Sequence, residues 1–431
     1  MFADSNICET DTQLSHWLAP YHIYGAIDLN YLCPEASIDW LRGLFSPSSA
    51  SRPIISPQMK LKDHMIQAMG GDESREINLL EWCKASTLES IGEIGFGYSF
   101  GAIQGTQSSY MKAIQSLMPT IARIFGWLPY LSWARRLLPT TMGQKIIRWI
   151  PNVHIQSAKA AIDAQREHAR NILKNRREVI SNGVDKEFND ILSNIIQINT
   201  RASKDDKLSE DQIIGQINGA LARVLHILSE HPVIQDRLRA ELVDASPELQ
   251  NYDKLSYLDA VIRETLRLYP PTPTIIRHAT RDWVLPLRYP TEQQKEIYVK
   301  EGAEIRISLR NANRCKETWG SDAEEFKPER WLSQLPLSAL EAKTPGINLG
   351  VEGSMTFSAG PRACIGYKFA ILQLKSFLFT LIKSFHFAPG SAPIEWRAAG
   401  FTTPHIMIKT EKGELVMDRR PSLPLKVSPV C

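Results

Sequence analysis

The order of apolar and polar residues along the chain predicts a mainly helical protein. A helical pattern extends over 58–69, 79–94, 155–181, 188–198, 209–229, 232–243, 257–269 and 365–384. The last of these segments is the most continuously apolar, which predicts a buried helix there. Runs that suit strands are shorter and fewer, so the helices set the fold class.

Short strands are predicted in two parts of the chain. Ile297–Val299 and Glu304–Ile307 lie on either side of Glu301-Gly302, and this arrangement predicts a hairpin. Two further strands, His405–Ile408 and Glu414–Met417, are predicted near the end of the chain. Many helices with a few small sheets apart from them define the α+β class, mainly α.

The start of the chain is the least regular part of the sequence. Residues 1–58 contain Pro/Ser clusters and no sustained period, so we expect a poorly defined N-terminal segment followed by one domain over 59–431. Residues 119–139 mix aromatic and aliphatic side chains with arginines. This mixture fits a helix pair that covers the core, and it also fits a peripheral contact with a membrane surface.

Composition and charge narrow the class of protein. With 431 residues, 43% hydrophobic and 23% charged, the chain is globular and large enough for an enzyme. Its 50 basic and 47 acidic residues are interspersed, so nucleic acid is not an expected partner. The six cysteines show no C-x-x-C, which indicates reduced thiols in a cytosol-facing compartment. No signal peptide and no run of roughly 18 to 20 apolar residues is found, so no membrane-spanning helix is expected.

One loop carries the strongest chemical signal. It runs from Phe357 to Gly366 and is predicted to bring Cys364 to the first turn of the buried helix. The free N–H groups of a helix N-terminus lower the pKa of a thiol and stabilise the thiolate, the form that binds metals. Gly360 and Gly366 let the backbone approach a flat ligand, and Arg362 can bind a carboxylate. Phe357 can screen the sulfur from water, so Cys364 is a candidate metal ligand; the alternative is a structural cysteine.

A pair of charged residues forms a second signal. Glu264 and Arg267 lie three positions apart in a predicted helix, so they share a face and can bond each other. Arg330 can add a second guanidinium to the same carboxylate. A carboxylate between two guanidiniums would clamp this helix to the loop that approaches Cys364. An exposed pair with this spacing is commonplace, so the signal gains its force from the cysteine loop.

Together these residues resemble the cytochrome P-450 family of haem-thiolate monooxygenases. The loop Phe357–Gly366 matches the family signature F-x-x-G-x-R-x-C-x-G at all five named positions. Glu264–Arg267 matches the family's E-x-x-R, and residues 326–331 are similar to its P-E-R-[FW] segment. Arg277–Ala279 is similar to its R-x-A strand. Residues 207–242 closely resemble fungal members, whose role in secondary metabolism is therefore implied.

The resemblance implies a cofactor, an activity and partners. It implies one haem b with Cys364 as the axial iron ligand and catalytic residue, the other named loop positions around it, and propionates held by Arg362 and Arg277. A thiolate on iron favours O–O cleavage. The implied reaction inserts one oxygen atom from O2 into an apolar small molecule, with electrons from a separate NADPH-dependent reductase. The implied location is the cytoplasmic side of the endoplasmic reticulum, peripheral or soluble.

The central helix departs from the family pattern. Where the family carries A-G-x-[DE]-T, whose acid and alcohol relay protons to oxygen, Gln216-Ile217-Asn218 runs directly into Gly219. About eleven residues are missing by this comparison, close to three turns, so the rest of the helix keeps its phase. The family's W-x-x-x-R is missing too, since Trp40-Leu41-Arg42 has the residue types at the wrong spacing. We therefore expect a chain truncated at its N-terminus that binds haem but activates oxygen poorly.

Other classes of function fit parts of the sequence. A catalytically inactive haem-binding form of the same fold would keep the cysteine loop and lack the relay. The segment 97–101 matches G-x-S-x-G, which suggests an α/β-hydrolase with Ser99 as nucleophile and His278, His386 or His405 as base. That motif needs a strand before the serine, whereas the preceding residues have a helical pattern. A zinc hydrolase has little support because no H-E-x-x-H is present.

Overall fold

The computed structural model describes several long stretches of the chain. These are residues 55–96, 98–104, 149–157, 211–245, 252–287, 294–335, 354–358, 366–399, 401–410 and 413–430, with Cys364 and a few other single positions. The predicted helix at 188–198 and the segment 119–139 lie outside these residues, and 155–181 lies mostly outside them. The division of the chain after residue 58 stays a prediction.

Eight α-helices have both of their ends within the described stretches. They are α1 (Ile55–Met69), α2 (Leu79–Phe96), α3 (Asp211–Glu230), α4 (Pro232–Asp244), α5 (Ser256–Leu268), α6 (Leu309–Ala312), α7 (Lys316–Trp319) and α8 (Tyr367–Ser384). Single 3₁₀ turns cover Tyr252–Lys254, Pro328–Trp331 and Met355–Phe357. The predictions for α1 to α5 and for α8 are confirmed, each with bounds within three residues of those expected.

Prolines set two of the helix boundaries. Pro232 occupies the first position of α4, where its missing N–H removes no helical hydrogen bond and its fixed φ suits a helix. Helix α5 ends at Leu268 because Pro270 and Pro271 follow, and the residue before a proline is disfavoured in the helical conformation. The break at Pro232 separates α3 from α4, which pack against each other, and the break at Pro270 leads from α5 to the strand Thr274–His278.

Ten strands form four small antiparallel sheets within the described residues. The strands are β1 (Arg75–Asn78), β2 (Thr274–His278), β3 (Trp283–Pro286), β4 (Glu296–Val299), β5 (Glu304–Ser308), β6 (Phe385–Pro389), β7 (Ile394–Ala399), β8 (Phe401–Lys409), β9 (Leu415–Met417) and β10 (Pro424–Pro429). Their orders are β1-β10-β6, β2-β5, β3-β4 and β7-β8-β9. Helices with small separate sheets confirm the expected class, mainly α within α+β.

The hairpin predicted around Glu301-Gly302 is wrong. Strand β4 pairs with β3, with Trp283 opposite Val299, whereas β5 pairs with β2. The turn at Gly302 leads from one sheet to another, and its N–H donates to the carbonyl of Ala279 at 2.8 Å. Spacing around a turn showed two adjacent strands but not their partners, which come from earlier in the chain. The strands predicted at 405–408 and 414–417 are confirmed as β8 and β9.

The core lies where α3, α5 and α8 meet. Leucines at 221, 225 and 228 of α3 and apolar residues of α8, among them Phe377 and Leu378, have no exposed surface. Helix α3 also packs against α2 and β6, so it is surrounded along much of its length. Burial of large apolar side chains contributes roughly 1.5 to 3 kcal/mol each relative to leaving them exposed. This core fixes α8 and the loop in front of it.

Gly92 lies at a close contact that predicts the effect of one substitution. A Cβ at Gly92 would come within 2.4 Å of the carbonyl oxygen of Tyr98 and 2.5 Å of the ring of Phe100. We expect Gly92→Ala to lower the free energy of unfolding by about 1 to 3 kcal/mol because the turn after α2 has to move. Urea unfolding midpoints of the wild type and the variant measure this difference.

The matched control for this prediction is Gly219→Ala in α3. The nearest atom to a Cβ at Gly219 is the carbonyl oxygen of Thr402 at 3.4 Å, an ordinary contact. Alanine also favours a helix by about 1 kcal/mol over glycine, so this variant should be as stable as the wild type or more so. Equal midpoints for both variants would show that the residues after α2 move freely.

Candidate functional site

The turn before Cys364 is held by local hydrogen bonds. Ser354 caps the 3₁₀ turn Met355–Phe357 by accepting the N–H of Thr356. Ser358 follows with a φ of 60°, a conformation that non-glycine residues rarely adopt. The backbone N–H of Cys364 donates to the carbonyl of Phe357 at 2.8 Å, which brings the cysteine back beside the turn. The loop is thus closed on itself at the sulfur-bearing residue.

Cys364 stands just before α8 and not in its first turn. The helix begins at Tyr367 with Gly366 as its N-cap, so the expected position was wrong by a few residues. Cys364 is half-buried, and burial raises the pKa of its thiol, while a hydrogen bond from the Gly366 backbone lowers it by less. The expected lowering of this pKa is therefore wrong for the polypeptide alone. Binding of a metal releases the thiol proton and supplies the counter-charge that burial demands.

The remaining loop residues divide into described and undescribed ones. The ring of Phe357 lies 6.1 Å from that of Tyr367 and packs at the edge of the core, between the turn and α8. Gly366 is buried at the N-cap. Gly360 and Arg362 lie outside the described residues, so their expected roles stay predictions.

Glu264 is the centre of a buried charge cluster. Its carboxylate and the guanidinium of Arg267 form two hydrogen bonds of 2.8 Å each, and neither side chain has exposed surface. The Nε of Arg330 lies 3.5 Å from the same carboxylate. The backbone N–H of Lys327 and the indole of Trp331 donate to its two oxygens at 3.0 and 2.9 Å. The structure therefore brings Glu264, Arg267 and Arg330 together.

Arg267 connects this cluster to three backbone carbonyls. It donates to the oxygens of Asn313, Ala323 and Glu325 at 2.8, 2.6 and 3.3 Å. Together with Glu264, these carbonyls accept hydrogen bonds from all three nitrogen atoms of the guanidinium. A buried charge requires such partners. Helix α5 is thereby tied to the chain on both sides of α7.

Arg330 has a second acidic partner. Its guanidinium donates to the carboxylate of Asp322 at 2.9 Å and to the backbone oxygens of Asp322 and Trp319. Hydrogen bonds from Arg330 and Lys327 lower the pKa of Asp322 to about 2. The two guanidiniums thus face two carboxylates, and the cluster approaches charge balance.

Asn313 links the charge cluster to the cysteine loop. Its carbonyl accepts from Arg267, while its side-chain oxygen accepts the N–H of Met355 at 2.7 Å and its amide donates to Thr356 at 2.9 Å. The hydroxyl of Thr356 donates in turn to the carbonyl of Leu266 on α5 at 2.7 Å. Sequence reasoning missed Asn313 and Thr356. Their only signal was proximity in sequence to the other motifs, because an asparagine in a loop is commonplace.

Arg277 and the central helix are the other predicted positions. Arg277 lies on β2 opposite Ile305, and its guanidinium donates to the carbonyl of Ile276 at 2.9 Å. Helix α3 continues without a break through residues 218 and 219. The helix is therefore continuous at the position where the family's relay segment is missing from the sequence.

The hydrolase interpretation of Ser99 is wrong. Ser99 follows helix α2 and not a strand, so the required strand-turn-helix elbow is not formed. Its hydroxyl donates to the carboxylate of Glu89, a buried residue of α2. His405, one of the candidate bases, bonds instead to Thr403 and to the carbonyl of Asp418. These contacts are structural.

This fold and the loop that carries Cys364 are those of a large family of haem proteins. The sequence profile of the cytochrome P-450 family matches residues 42–412. The chain therefore belongs to the cytochrome P-450 family, and its cofactor is haem, iron protoporphyrin.

Relatives and a solved structure agree with this assignment. The chain is 35% identical to cytochrome P-450 monooxygenase 91 of Postia placenta, over 86% of this chain and 71% of the relative. It is 30% identical to a ganoderic acid synthetase of Ganoderma lucidum, over 88% and 75%. A crystal structure of a cytochrome P-450 matches its fold with a TM-score of 0.68 and 21% identity, over 98% of this chain and 88% of the other.

The surroundings of the described cysteines indicate which of them could bind a haem iron. Of the three in the described residues, Cys83 is buried in the core and burial raises its pKa to about 12, so it stays a thiol. Cys315 donates to Glu317 at 3.0 Å. Of these three, Cys364 is half-buried, and its backbone N–H is hydrogen-bonded to the turn at Phe357 just before α8. One thiolate donor is what a haem-thiolate iron needs from the protein.

One structural observation bears on membrane attachment. Among the helices of the described residues, none is long and apolar enough to cross a bilayer.

Proposed function

We propose that this chain is a haem-thiolate monooxygenase that inserts one oxygen atom from O2 into an apolar small molecule. The observation that carries the proposal is the connection from the Glu264 cluster through Asn313 to the turn beside Cys364. When bound, the haem supplies the activation of O2 with electrons from an NADPH-dependent reductase. Cys364 would hold the iron, and Arg362 and Arg277 would hold the propionates. Family membership supports each of these assignments.

The polypeptide performs the supporting tasks. The cluster of Glu264, Arg267 and Arg330 fixes the loop before Cys364, so the thiol is presented at one place. Phe357 and Tyr367 limit the access of water to the sulfur. The proposed location is the cytoplasmic side of the endoplasmic reticulum, with a peripheral contact through residues 119–139, and it rests on the resemblance to fungal members.

The continuous helix α3 favours impaired catalysis. Family members place an acid and an alcohol in this helix to deliver protons to oxygen, and α3 passes from Asn218 to Gly219 without them. With proton delivery weakened, electrons and protons from NADPH would convert O2 to H2O2 in place of oxygenated product. A catalytically inactive haem-binding form of the same fold is the second candidate, and the same feature of α3 favours it.

An oxygen-label experiment tests the proposal. The purified chain is loaded with haem and supplied with reductase, NADPH, ¹⁸O2 and a set of apolar substrates. We expect labelled alcohol, with most of the NADPH consumed appearing as H2O2. A variant that receives a family A-G-x-D-T segment of about eleven residues, three turns, between Asn218 and Gly219 should shift NADPH consumption towards labelled product.

Three outcomes of this experiment separate the candidates. Labelled product from the unmodified chain supports the monooxygenase, whereas labelled product from the insertion variant alone supports the inactive form. NADPH consumption that yields only H2O2 in both, or no consumption at all, supports the inactive form. Rapid hydroxylation by the unmodified chain, with little H2O2, would contradict the proposed impairment.

A further inference from the structure

Trp396 of β7 joins the β7–β8 hairpin to α3 through two side chains. Its indole N–H donates to the Nδ1 of His226 at 3.1 Å. The guanidinium of Arg223 lies 4.4 Å from the centre of the same ring and 3.7 Å from that of Tyr269, just after α5. Burial lowers the pKa of Arg223 to about 10, so this residue stays charged at neutral pH. The indole is therefore held by one cation–π contact and one hydrogen bond.

The tip of this hairpin contacts two other elements. The N–H of Thr402 donates to the carbonyl of Pro271 at 3.0 Å, and Gly219 of α3 lies against the carbonyl of Thr402. Pro271 belongs to the segment that leads from α5 to β2. The hairpin thus bridges α3 and the chain between the Glu264 cluster and Arg277.

The hydrogen bond between Trp396 and His226 requires a neutral imidazole. An indole nitrogen can only donate, so the Nδ1 of His226 must be unprotonated to accept. The single ring proton then lies on Nε2, which faces the carboxylate of Glu230 at 3.8 Å. A second proton on Nδ1 would place two N–H donors against each other. It would also add a positive charge beside Arg223.

We propose that His226 is a positioning residue that anchors the β7–β8 hairpin on α3 only while its imidazole is neutral. Acidification would then release Trp396 and loosen the hairpin. His226 is 8% exposed, so water cannot readily replace the lost partner. The inference stands on this contact and is independent of the proposed function.

The charges around His226 set the sign of the effect. Burial lowers the pKa of His226 below its ordinary value, Arg223 lowers it further, and Glu230 opposes both. From the other elements, Trp396 contacts the ring, while Tyr269 and Arg314 act on Arg223. A lowered pKa means that the anchor is intact above the ordinary pKa of histidine, about 6.5. The anchor weakens as the pH falls below that value and is lost as the pH falls through the lowered pKa of His226.

Hydrogen–deuterium exchange of the purified full-length chain tests this inference. Exchange of the β7 and β8 amides is measured at pH 7.5 and at pH 5.5 and corrected for the intrinsic rates. We expect about three- to tenfold faster exchange at pH 5.5, the equivalent of one net hydrogen bond. Exchange in α8, which is packed in the core, should change much less.

Variants of His226 separate the anchor from a general acid effect. His226→Asn keeps an acceptor near the position of Nδ1 and cannot be protonated, so its hairpin should stay protected at both pH values. His226→Leu has no acceptor, and its hairpin should exchange fast at both. His405→Gln removes the buried histidine of β8 and should keep the wild-type response.

Either of two results would overturn the inference. One is a wild-type-like pH response in His226→Asn. The other is hairpin exchange in the wild-type chain that, after correction for intrinsic rates, is the same at both pH values.

Discussion

Replacing Cys364 with alanine is expected to abolish the absorption band that marks thiolate-ligated haem in the ferrous carbon monoxide complex. The variant loses the thiol that the hydrogen bond from Cys364 to Phe357 places beside the fixed turn. Haem affinity should fall by more than about 100-fold, since even partners outside the ligand shell are worth 10- to 100-fold at metal sites. Haem titration followed by reduction under carbon monoxide measures both quantities.

Cys83→Ala is the matched control. Cys83 of α2 is buried in the core of the protein, and its pKa of about 12 keeps the thiol protonated. This variant should keep the band and lose only some stability, because a small apolar space is left. A band that persists in Cys364→Ala would show that the iron ligand lies elsewhere, and the proposed site would be wrong.

The second large effect is expected for Glu264→Ala. This change leaves the guanidinium of Arg267 buried without its carboxylate, and it leaves the donors of Lys327 and Trp331 without an acceptor. Removing one partner of a buried ion pair costs about 3 to 5 kcal/mol. We expect a fall of this size in the free energy of unfolding, measured by urea denaturation of the haem-loaded protein.

Two further variants make this result specific. Glu264→Gln keeps an acceptor oxygen but not the charge, so its loss of stability should be smaller than that of Glu264→Ala. Glu329 belongs to the same 3₁₀ turn as Arg330 and pairs with Arg237. Both side chains of this pair are well exposed, Glu329 at 43% and Arg237 at 52%. Glu329→Gln should cost at most about 1 kcal/mol. Similar losses for Glu264→Ala and Glu329→Gln would contradict the central role of Glu264.

The sequence predicted those parts of the site that depend on short-range spacing. Glu264 and Arg267 share a helix face because they lie three residues apart, and a helix in this segment follows from its apolar pattern. Arg330 could be added only because the family resemblance aligned its segment. Asn313 was not predicted, since its role depends on backbone carbonyls and on Thr356, which only the folded chain brings near.

Long-range pairing and burial account for the errors. The sequence indicated strands beside Gly302 but not that β4 and β5 pair with β3 and β2, because partner choice depends on contacts distant in the chain. The pKa of Cys364 was expected to fall from helix-end electrostatics alone. Burial has the opposite sign and prevails, and burial of a loop residue is not visible in a local pattern.

The bonds of Asn313 bear on how the protein acquires its cofactor. Because Met355 and Thr356 are fixed by Asn313 and by the carbonyl of Leu266, the turn beside Cys364 is shaped by the polypeptide itself. Such preorganisation reduces the entropy that is lost when a ligand binds. If Cys364 holds the haem iron as proposed, this turn is in place before the prosthetic group binds, and we expect the entropy lost there on haem binding to be small.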